Sequence, residues 1–526
     1  MLRRQTPFLI ALLAVVVWLL PASPASAAAT ATLVSGTVVP HNPAMDGVVR
    51  LDLQVRNDTA SAWATGDLVH LTWKSADGKP VSVDTRQLGQ AVAPAARGTL
   101  TLVTLSPTAV GDFTLTTELE THGSKLQIGD PTVFHLSGFL FKGLGNGHGL
   151  GMSQWGARGR AAAGDDYRKI LAAYYKSSRI DNRDTSGTVR IALTHGTIDL
   201  ARPWPRLFGP MPFVAGPVTV DGLPRLTAGA GALLGFDTDP GGRPEVFLQA
   251  PDGTRSAAVV VDHTLTIHGT SPAGIRTNIL ETMGGDFRTG AEQWRYGGSL
   301  RIIPKGGATV LPVSVLPIED YLKGVVPAEM PPYWGVEALK AQAIAARTYA
   351  MRKIAAVGGG GDFDLEGNQF DQAYSGLTEQ VQASSDAVDA TKGQVLTYNG
   401  QLLEALYMAS GGGHTESSEY GFIHWNNGLK PAASLPYLRG IPDPLDRAPS
   451  WQVGPFSPND AAQILRNNDE DLGDRLVGID ILQKGPSGRV LGVRLRGSSK
   501  TDEISGPVLR AWFGLPDTLV QIVGGG

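Results

Sequence analysis

Between residues 48 and 119 apolar and polar positions alternate with a period of two, the signature of strands with one buried face. Val48 to Val55 reads VVRLDLQV, Leu68 to Trp73 LVHLTW, Leu100 to Leu105 LTLVTL and Phe113 to Leu119 FTLTTEL, with Asn57-Asp58, Asp77-Gly78 and Gly111-Asp112 as turns. Residues 28–137 therefore predict a small β-sandwich, a fold that assigns no function by itself. The pattern changes at Phe139-Leu140-Phe141, after which glycine recurs on alternate positions from Gly143 to Gly151 and a helical pattern runs from Arg158 to Tyr175. Short apolar runs from Thr188 to Val313, among them Val189 to Leu193, Glu245 to Leu248 and Leu300 to Ile303, predict further strands. Pro331-Pro332 then block a helix, Gly335 to Ala356 is Ala-rich and free of proline, and Gly358 to Gly361 end it, so one long helix is expected there. Its stripe Val336, Leu339, Ala343, Ala346, Ala350 adjoins a second stripe with Lys340, Ile344, Arg347 and Met351, while Gln342 and Tyr349 share another face. A helix so patterned is covered on more than one side. A second helix (Val381 to Thr391), strands at Val395 to Tyr398 and Leu402 to Met408, and a β-rich tail from Gly478 to Val523 complete an α+β chain.

Composition narrows the function. The 526 residues carry Lys+Arg 45 against Asp+Glu 49, no run of basic residues longer than two, and 42% hydrophobic residues. Large cores are expected, and the electrostatic footprint of a nucleic-acid binder is missing. Arg3-Arg4, the apolar run Phe8 to Leu20 and the small-residue end Ala25-Ser26-Ala27 read as a signal peptide over residues 1–27. The apolar run spans about 20 Å as a helix, short of the roughly 30 Å hydrocarbon core, so no transmembrane anchor is expected after cleavage and the destination is the wall or extracellular space. Zero cysteines in such a chain exclude a disulfide scaffold, a thiol nucleophile and any Cys-ligated metal. No cofactor is expected.

Candidate chemistry is sparse. No nucleotide-binding glycine register, G-x-S-x-G elbow, H-E-x-x-H or calcium-loop pattern occurs, which leaves carboxylates. Glu329 lies in Val325-Val326-Pro327-Ala328-Glu329-Met330-Pro331, among apolar residues just before the long helix. Two readings stand: desolvation raises its pKa and makes it a proton donor, or it favours the helix start through the macrodipole. Glu319-Asp320 are expected to cap a helix over Tyr321 to Val326.

The run Leu316-Pro317-Ile318-Glu319-Asp320-Tyr321-Leu322-Lys323-Gly324-Val325-Val326-Pro327-Ala328-Glu329-Met330, followed by Glu337 to Ala350, resembles the core signature of the SpoIID/LytB family of sporulation protein D and amidase-enhancer proteins. The likeness continues through Gln372 to Gly376, Thr391-Lys392-Gly393, Ser410 to Glu416 and Leu435 to Leu438, spanning roughly 188–520 and strongest over 311–440. It implies a domain over 188–526 with a permuted segment over 138–187, since Gly147 to Ala157 (GHGLGMSQWGA) resembles a family motif that follows the core in sporulation members but precedes it here. It further implies a peptidoglycan lytic transglycosylase acting on peptide-free glycan strands, with Glu329 as the acid. The LytB-type members imply instead an enhancer of a separate cell-wall amidase. Some sporulation members bind zinc through Cys and His; His414 and His424 supply two ligands at most, so no metal is expected here.

Under that resemblance several residues become candidates for sugar contact. Lys340 and Arg347 either orient acetamido and lactyl groups and tune the acid, or lie over the Ala face with their stems. His148 and His414 are active-site groups or hydrogen-bonded structural residues in glycine-rich turns. Ser153, Gln154, Tyr374, Ser410 and Thr415 carry the right donors and acceptors for sugar hydroxyls, while Trp155 is expected to pack in the core.

Overall fold

The computed structural model describes residues 30–39, 48–107, 109–201, 213–277, 279, 294–425 and 428–525, so the leader expected over residues 1–27 lies outside the described residues, as does the side chain of His424. The chain forms two compact units, Met1–Gly138 and Phe139–Gly526. In the first, strands Ala31–Val39, Val48–Asn57 and Arg97–Leu105 make one antiparallel sheet. Strands Pro80–Gln87, Leu68–Ser75, Gly111–Thr121 and Ser124–Gln127 make the other, with Thr132–Leu136 also paired to Gly111–Thr121. The alternation works as read: Val49, Leu51, Leu53 and Val55 face Val69, Leu71 and Trp73 in a single core, and the residues between them point outward. Pro80–Gln87 shows no such alternation because nearly all of it is exposed.

The second unit is built on a mixed sheet in which Thr309–Pro317 pairs with both Ser299–Pro304 and Thr188–Ala192, and Thr188–Ala192 pairs in parallel with Leu365–Glu366. Thr309–Pro317 leads directly into the helix Ile318–Glu329. The long helix follows as Val336–Val357, opened by Gly335 at φ +101° and closed by Gly358 at φ +61°, backbone conformations that favour glycine. Ala338, Ala341, Ala343, Ala345, Ala346 and Ala350 are all buried. Their small side chains let the helices Gln154–Ala162, Tyr167–Tyr174, Ile318–Glu329 and Gln382–Ala390 and the strand Gln394–Tyr398 all pack against this one helix. The helix expected from Arg158 to Tyr175 is two helices, broken where Gly164 turns at φ +92° and Asp166 caps the next helix by accepting from the Lys169 N–H. The strand expected over Leu402 to Met408 is likewise split, into Gln401–Leu402 and Tyr407–Met408. The tail contains the helix Gly506–Phe513 besides its strands, and with Phe139 and Phe141 it forms a separate core.

Candidate active site

Glu329 is the last residue of its helix, not the first of the next. Met330 is extended, as a residue before proline must be, and Pro331 stops the helix. The macrodipole reading is thereby corrected: a carboxylate at a helix C-terminus faces the negative end, and the acid in the first turn of the long helix is Glu337. The Glu329 carboxyl is half-buried at the base of a cleft of about 550 Å³ lined also by Gln154, Tyr349, Asp371 and Tyr407. Its Oε1 accepts the Ala373 N–H at 2.7 Å and its Oε2 accepts from Gln154 Nε2 at 3.2 Å. Burial pushes the carboxyl above the usual glutamate range, while the hydrogen bonds from Ala373, Gln154 and the Tyr407 hydroxyl pull against that rise. The helix end acts in the same direction as burial. The result is a carboxyl that holds its proton to higher pH than a surface glutamate and opens onto a cavity.

The glycine-rich block supplies the other wall. Met152–Ser153 pairs in parallel with Tyr407–Met408, and Asn146 and Ser410 exchange backbone hydrogen bonds of 2.9 and 3.0 Å. These two ties bring Gln154, the first residue of its helix, onto Glu329 across 175 residues of chain. Behind it, the fully buried Gln342 accepts from Gln154 Nε2 at 3.4 Å. His148 lines the cleft, but both its nitrogens are spent: Nδ1 accepts the Leu150 N–H at 3.0 Å and the ring also bonds the Tyr407 backbone. Burial, then the charges of Arg510 and Arg489, push its pKa down to about 4, so at neutral pH it is an uncharged support for Tyr407. Tyr407 in turn accepts from Gln372 Nε2 at 2.9 Å, and Gln372 accepts from Tyr321, a buried chain of hydrogen bonds that fixes the phenol.

The remaining candidates lie elsewhere, each for a structural reason. Arg347 is fully buried and grips both oxygens of Glu319, at 3.1 and 2.8 Å, as well as the carbonyls of Val388 and Gln394 at 3.2 Å. It ties three helices together and does not reach the cleft. Glu319, expected as a cap, is its partner; burial opposes ionisation there, but the Arg347 hydrogen bonds and charge outweigh it and hold the carboxyl below its usual range. Lys340 pairs with Glu337 at 2.8 Å and lies over the Tyr167 ring, outside the cleft. Tyr374 is core, its ring tilted against those of Tyr321 and Tyr296 and packed on Gly324. Ser153 caps the Gln154 helix and donates to Asp446 at 2.8 Å; Ser410 donates to the same carboxylate at 2.9 Å. Thr415 accepts the Ile441 N–H at 3.0 Å, and His414 lines a different cavity. Trp155 packs on Trp334 with Arg158 against both rings.

Sequence reasoning missed Tyr407, Asp371 and Asp446. Asp446 is a hub that also accepts the Gly411 and Gly412 N–H groups at 2.6 and 3.0 Å. Asp371 is a second carboxylate in the cleft, but its oxygens are occupied by the Tyr349 hydroxyl and Lys353 Nζ, both at 2.7 Å, and by the Glu366 N–H at 2.9 Å. Their neighbours Gln342 and Tyr349 did leave a trace in the sequence, on a helix face apart from the apolar stripes.

Fold and cleft together define an α+β protein whose cleft presents one proton-retaining carboxyl with no competing free carboxylate among its described lining residues. Residues 307–398 match the family model described as stage II sporulation protein, SpoIID, so this segment of the chain is similar to that family. It is 40% identical over 132 residues to the amidase enhancer of Bacillus subtilis, covering 25% of this chain and 16% of that protein. It is 34% identical over 149 residues to stage II sporulation protein D of Bacillus subtilis (26% and 41% covered). With an uncharacterized protein of Brachyspira hyodysenteriae it shares 37% identity over 192 residues (36% and 48% covered). The chain thus spans less than half the length of these curated relatives. Among solved structures, the C-terminal domain of wzt aligns over 21% of this chain and 74% of its own at 9% identity and a TM-score of 0.18, too low to define a common fold. No described helix is long and apolar enough to cross a membrane.

Proposed function

We propose that this chain is a secreted peptidoglycan lytic transglycosylase acting on glycan strands freed of peptide, with Glu329 as its single acid and base. The observation that carries the reading is the Glu329 carboxyl itself, pushed toward its neutral form at the base of a cleft and oriented by Ala373, Gln154 and Tyr407. Neutral, it donates its proton to the glycosidic oxygen as the bond from that oxygen to C1 of the muramyl residue breaks. As carboxylate, it takes the proton of the muramyl C6 hydroxyl while that oxygen bonds to C1, closing a 1,6-anhydro ring. The proton count closes and no water enters the product. Hydrolysis with a pair of carboxylates needs a second one free to act as base or nucleophile. Asp371 has its oxygens committed to Tyr349, Lys353 and Glu366, which favours the one-carboxyl route. The leader-like pattern of residues 1–27 supports export to the wall.

The test is to incubate the purified chain, with no amidase present, with peptide-free strands and weigh the products. Saccharides lighter by one water than hydrolysis products support the reading; unchanged strands from pH 4 to 8 overturn it. A second reading, a non-catalytic enhancer of a separate cell-wall amidase, is favoured by the identity to the Bacillus subtilis amidase enhancer. It predicts unchanged strands alone and faster release of peptide when an amidase is added.

A further inference from the structure

A second cleft, of about 780 Å³, lies beside the first and is lined by Lys142, His414, Trp451 and Lys484. Among its described lining residues there is no Asp or Glu. Both lysines are exposed, and among the described residues neither has an ion-pair partner. Two buried acids next to the lining are occupied: Glu416 accepts from Ser487 of the cleft wall, and Asp517 is clasped by Arg489 at 2.9 Å. His414 donates from Nδ1 to the Thr415 carbonyl at 2.6 Å, which leaves Nε2 for the cavity. The Trp451 indole is held by a 2.8 Å bond from Nε1 to the Gly145 carbonyl, and it lies so close over Gly143 that any side chain there would collide with the ring. Two unpaired cations beside a fixed aromatic face are a receptor for an anionic sugar.

The two clefts are lined by neighbouring stretches of the same two backbone segments. Gly143-Leu144 and Gly412 to His414 line the basic cleft; Asn146 to His148 and Tyr407 to Ala409 line the Glu329 cleft; the Asn146–Ser410 bridge stands between them. Three residues of extended chain reach at most about 10 Å, so one oligosaccharide can occupy both.

We propose that the Lys142–Lys484 cleft is a distal subsite that binds the lactyl carboxylate of a muramic acid residue in the strand being cut at Glu329. The proposal rests on the reading of this chain as glycan-cutting, and it adds a reason for preferring strands stripped of peptide. Only there is the lactyl group a free carboxylate, since in peptide-bearing strands it is tied up as an amide.

The experiment measures binding separately from turnover. Full-length protein carrying Glu329→Gln, which holds strands without consuming them, is titrated with soluble peptide-free strands, with the same strands after reduction of their lactyl carboxyls to alcohols, and with peptide-bearing strands. Lys142→Ala/Lys484→Ala, two surface changes that leave the cores intact, is expected to weaken binding of the native peptide-free strands roughly tenfold, with each exposed ion pair contributing up to about fivefold. Binding of the reduced strands should be unchanged by the pair of substitutions. Equal affinity of the double variant for native strands overturns the subsite. A larger lysine dependence with peptide-bearing strands overturns the lactyl assignment in favour of peptide carboxylates. Failure of the wild type to cut strands that nevertheless bind in a lysine-dependent manner would remove the transglycosylase reading and leave the subsite standing.

Discussion

Replacing Glu329 by Gln exchanges an ionisable carboxyl for a neutral amide of nearly the same shape. The Gln carbonyl keeps the 2.7 Å bond from the Ala373 N–H, and the new amide meets Gln154 Nε2, where rotation of the Gln154 amide by half a turn restores a donor–acceptor pair. The structure therefore predicts a folded protein that binds strands and cannot protonate the leaving oxygen. General acid–base catalysis is worth about 10²- to 10⁴-fold, so turnover should fall by that factor, about 2.7–5.4 kcal/mol of barrier. Stability should move the other way. Because burial raises the Glu329 pKa in the folded state, its neutral form is favoured: the stabilising contribution is complete below the unfolded pKa and is lost as pH rises through the folded one. Above its raised pKa the wild type carries a charge in a desolvated site that the Gln variant lacks, so the variant's thermal midpoint relative to wild type should climb as pH rises through that pKa. The assay is mass analysis of anhydro-ended products from pH 4 to 8, alongside thermal unfolding. For the wild type the alkaline limb of the rate profile should lie above the ordinary glutamate range. Activity within about threefold of wild type in a well-folded Gln variant would refute the acid role, and a pH-independent difference in thermal midpoint would refute the raised pKa.

Tyr407→Phe removes a hydrogen bond that favours the charged carboxyl, so the alkaline limb of the wild-type profile should move to higher pH while turnover at low pH persists; an unmoved limb argues against contact between the phenol and Glu329. Asp446→Ala leaves two hydroxyls, the buried Gly411 N–H and the part-buried Gly412 N–H without their acceptor and should cost at least about 1–3 kcal/mol in denaturant unfolding. Arg347→Met strands the Glu319 carboxylate among three helices and should cost about 3–5 kcal/mol. Glu319→Gln should leave less stability to lose in acid: a carboxyl whose folded pKa is lowered contributes above its unfolded pKa and forfeits that contribution as pH falls through the folded one, so the variant's unfolding free energy should fall less steeply below pH 5 than that of wild type.

What was legible in the sequence follows the range over which the physics acts. The long helix was expected over Gly335 to Ala356 and spans Val336–Val357, because its stop signals are adjacent in the chain. The first-unit strands were legible because alternation is a local record of one buried face. Glu329 stood out through its own apolar neighbours. Arg347 was misread for the same reason: beside alanines it offered either a sugar contact or a stem over a small-residue face, and nothing local announced that Glu319, 28 residues earlier, would be brought against it. Asp446 is 293 residues from Ser153 and Gln154 is 175 from Glu329, and no spacing rule links positions so far apart. Tyr407 was hidden in a stretch read as one continuous strand, where a half-buried aromatic is an ordinary strand residue.

The glycine-rich block enters the second unit on the strand Gly138–Gly143, which lies between Trp451–Phe456 and the strand Val520–Gly525. The pairing continues past the strands, from Leu144 to Leu519 and from Gly147 to Pro516, with the two segments running in opposite directions. The block's point of entry and the last strand are thus neighbours in one sheet. For a designer this makes the chain order of the unit negotiable: a short linker from residue 525 to residue 138, with a new start opened in the exposed turn at Ser186-Gly187, would place the block after the core without breaking a contact to Glu329. Which end of the polypeptide delivers Gln154 is a matter of genetic history, and the cleft records only that it arrives.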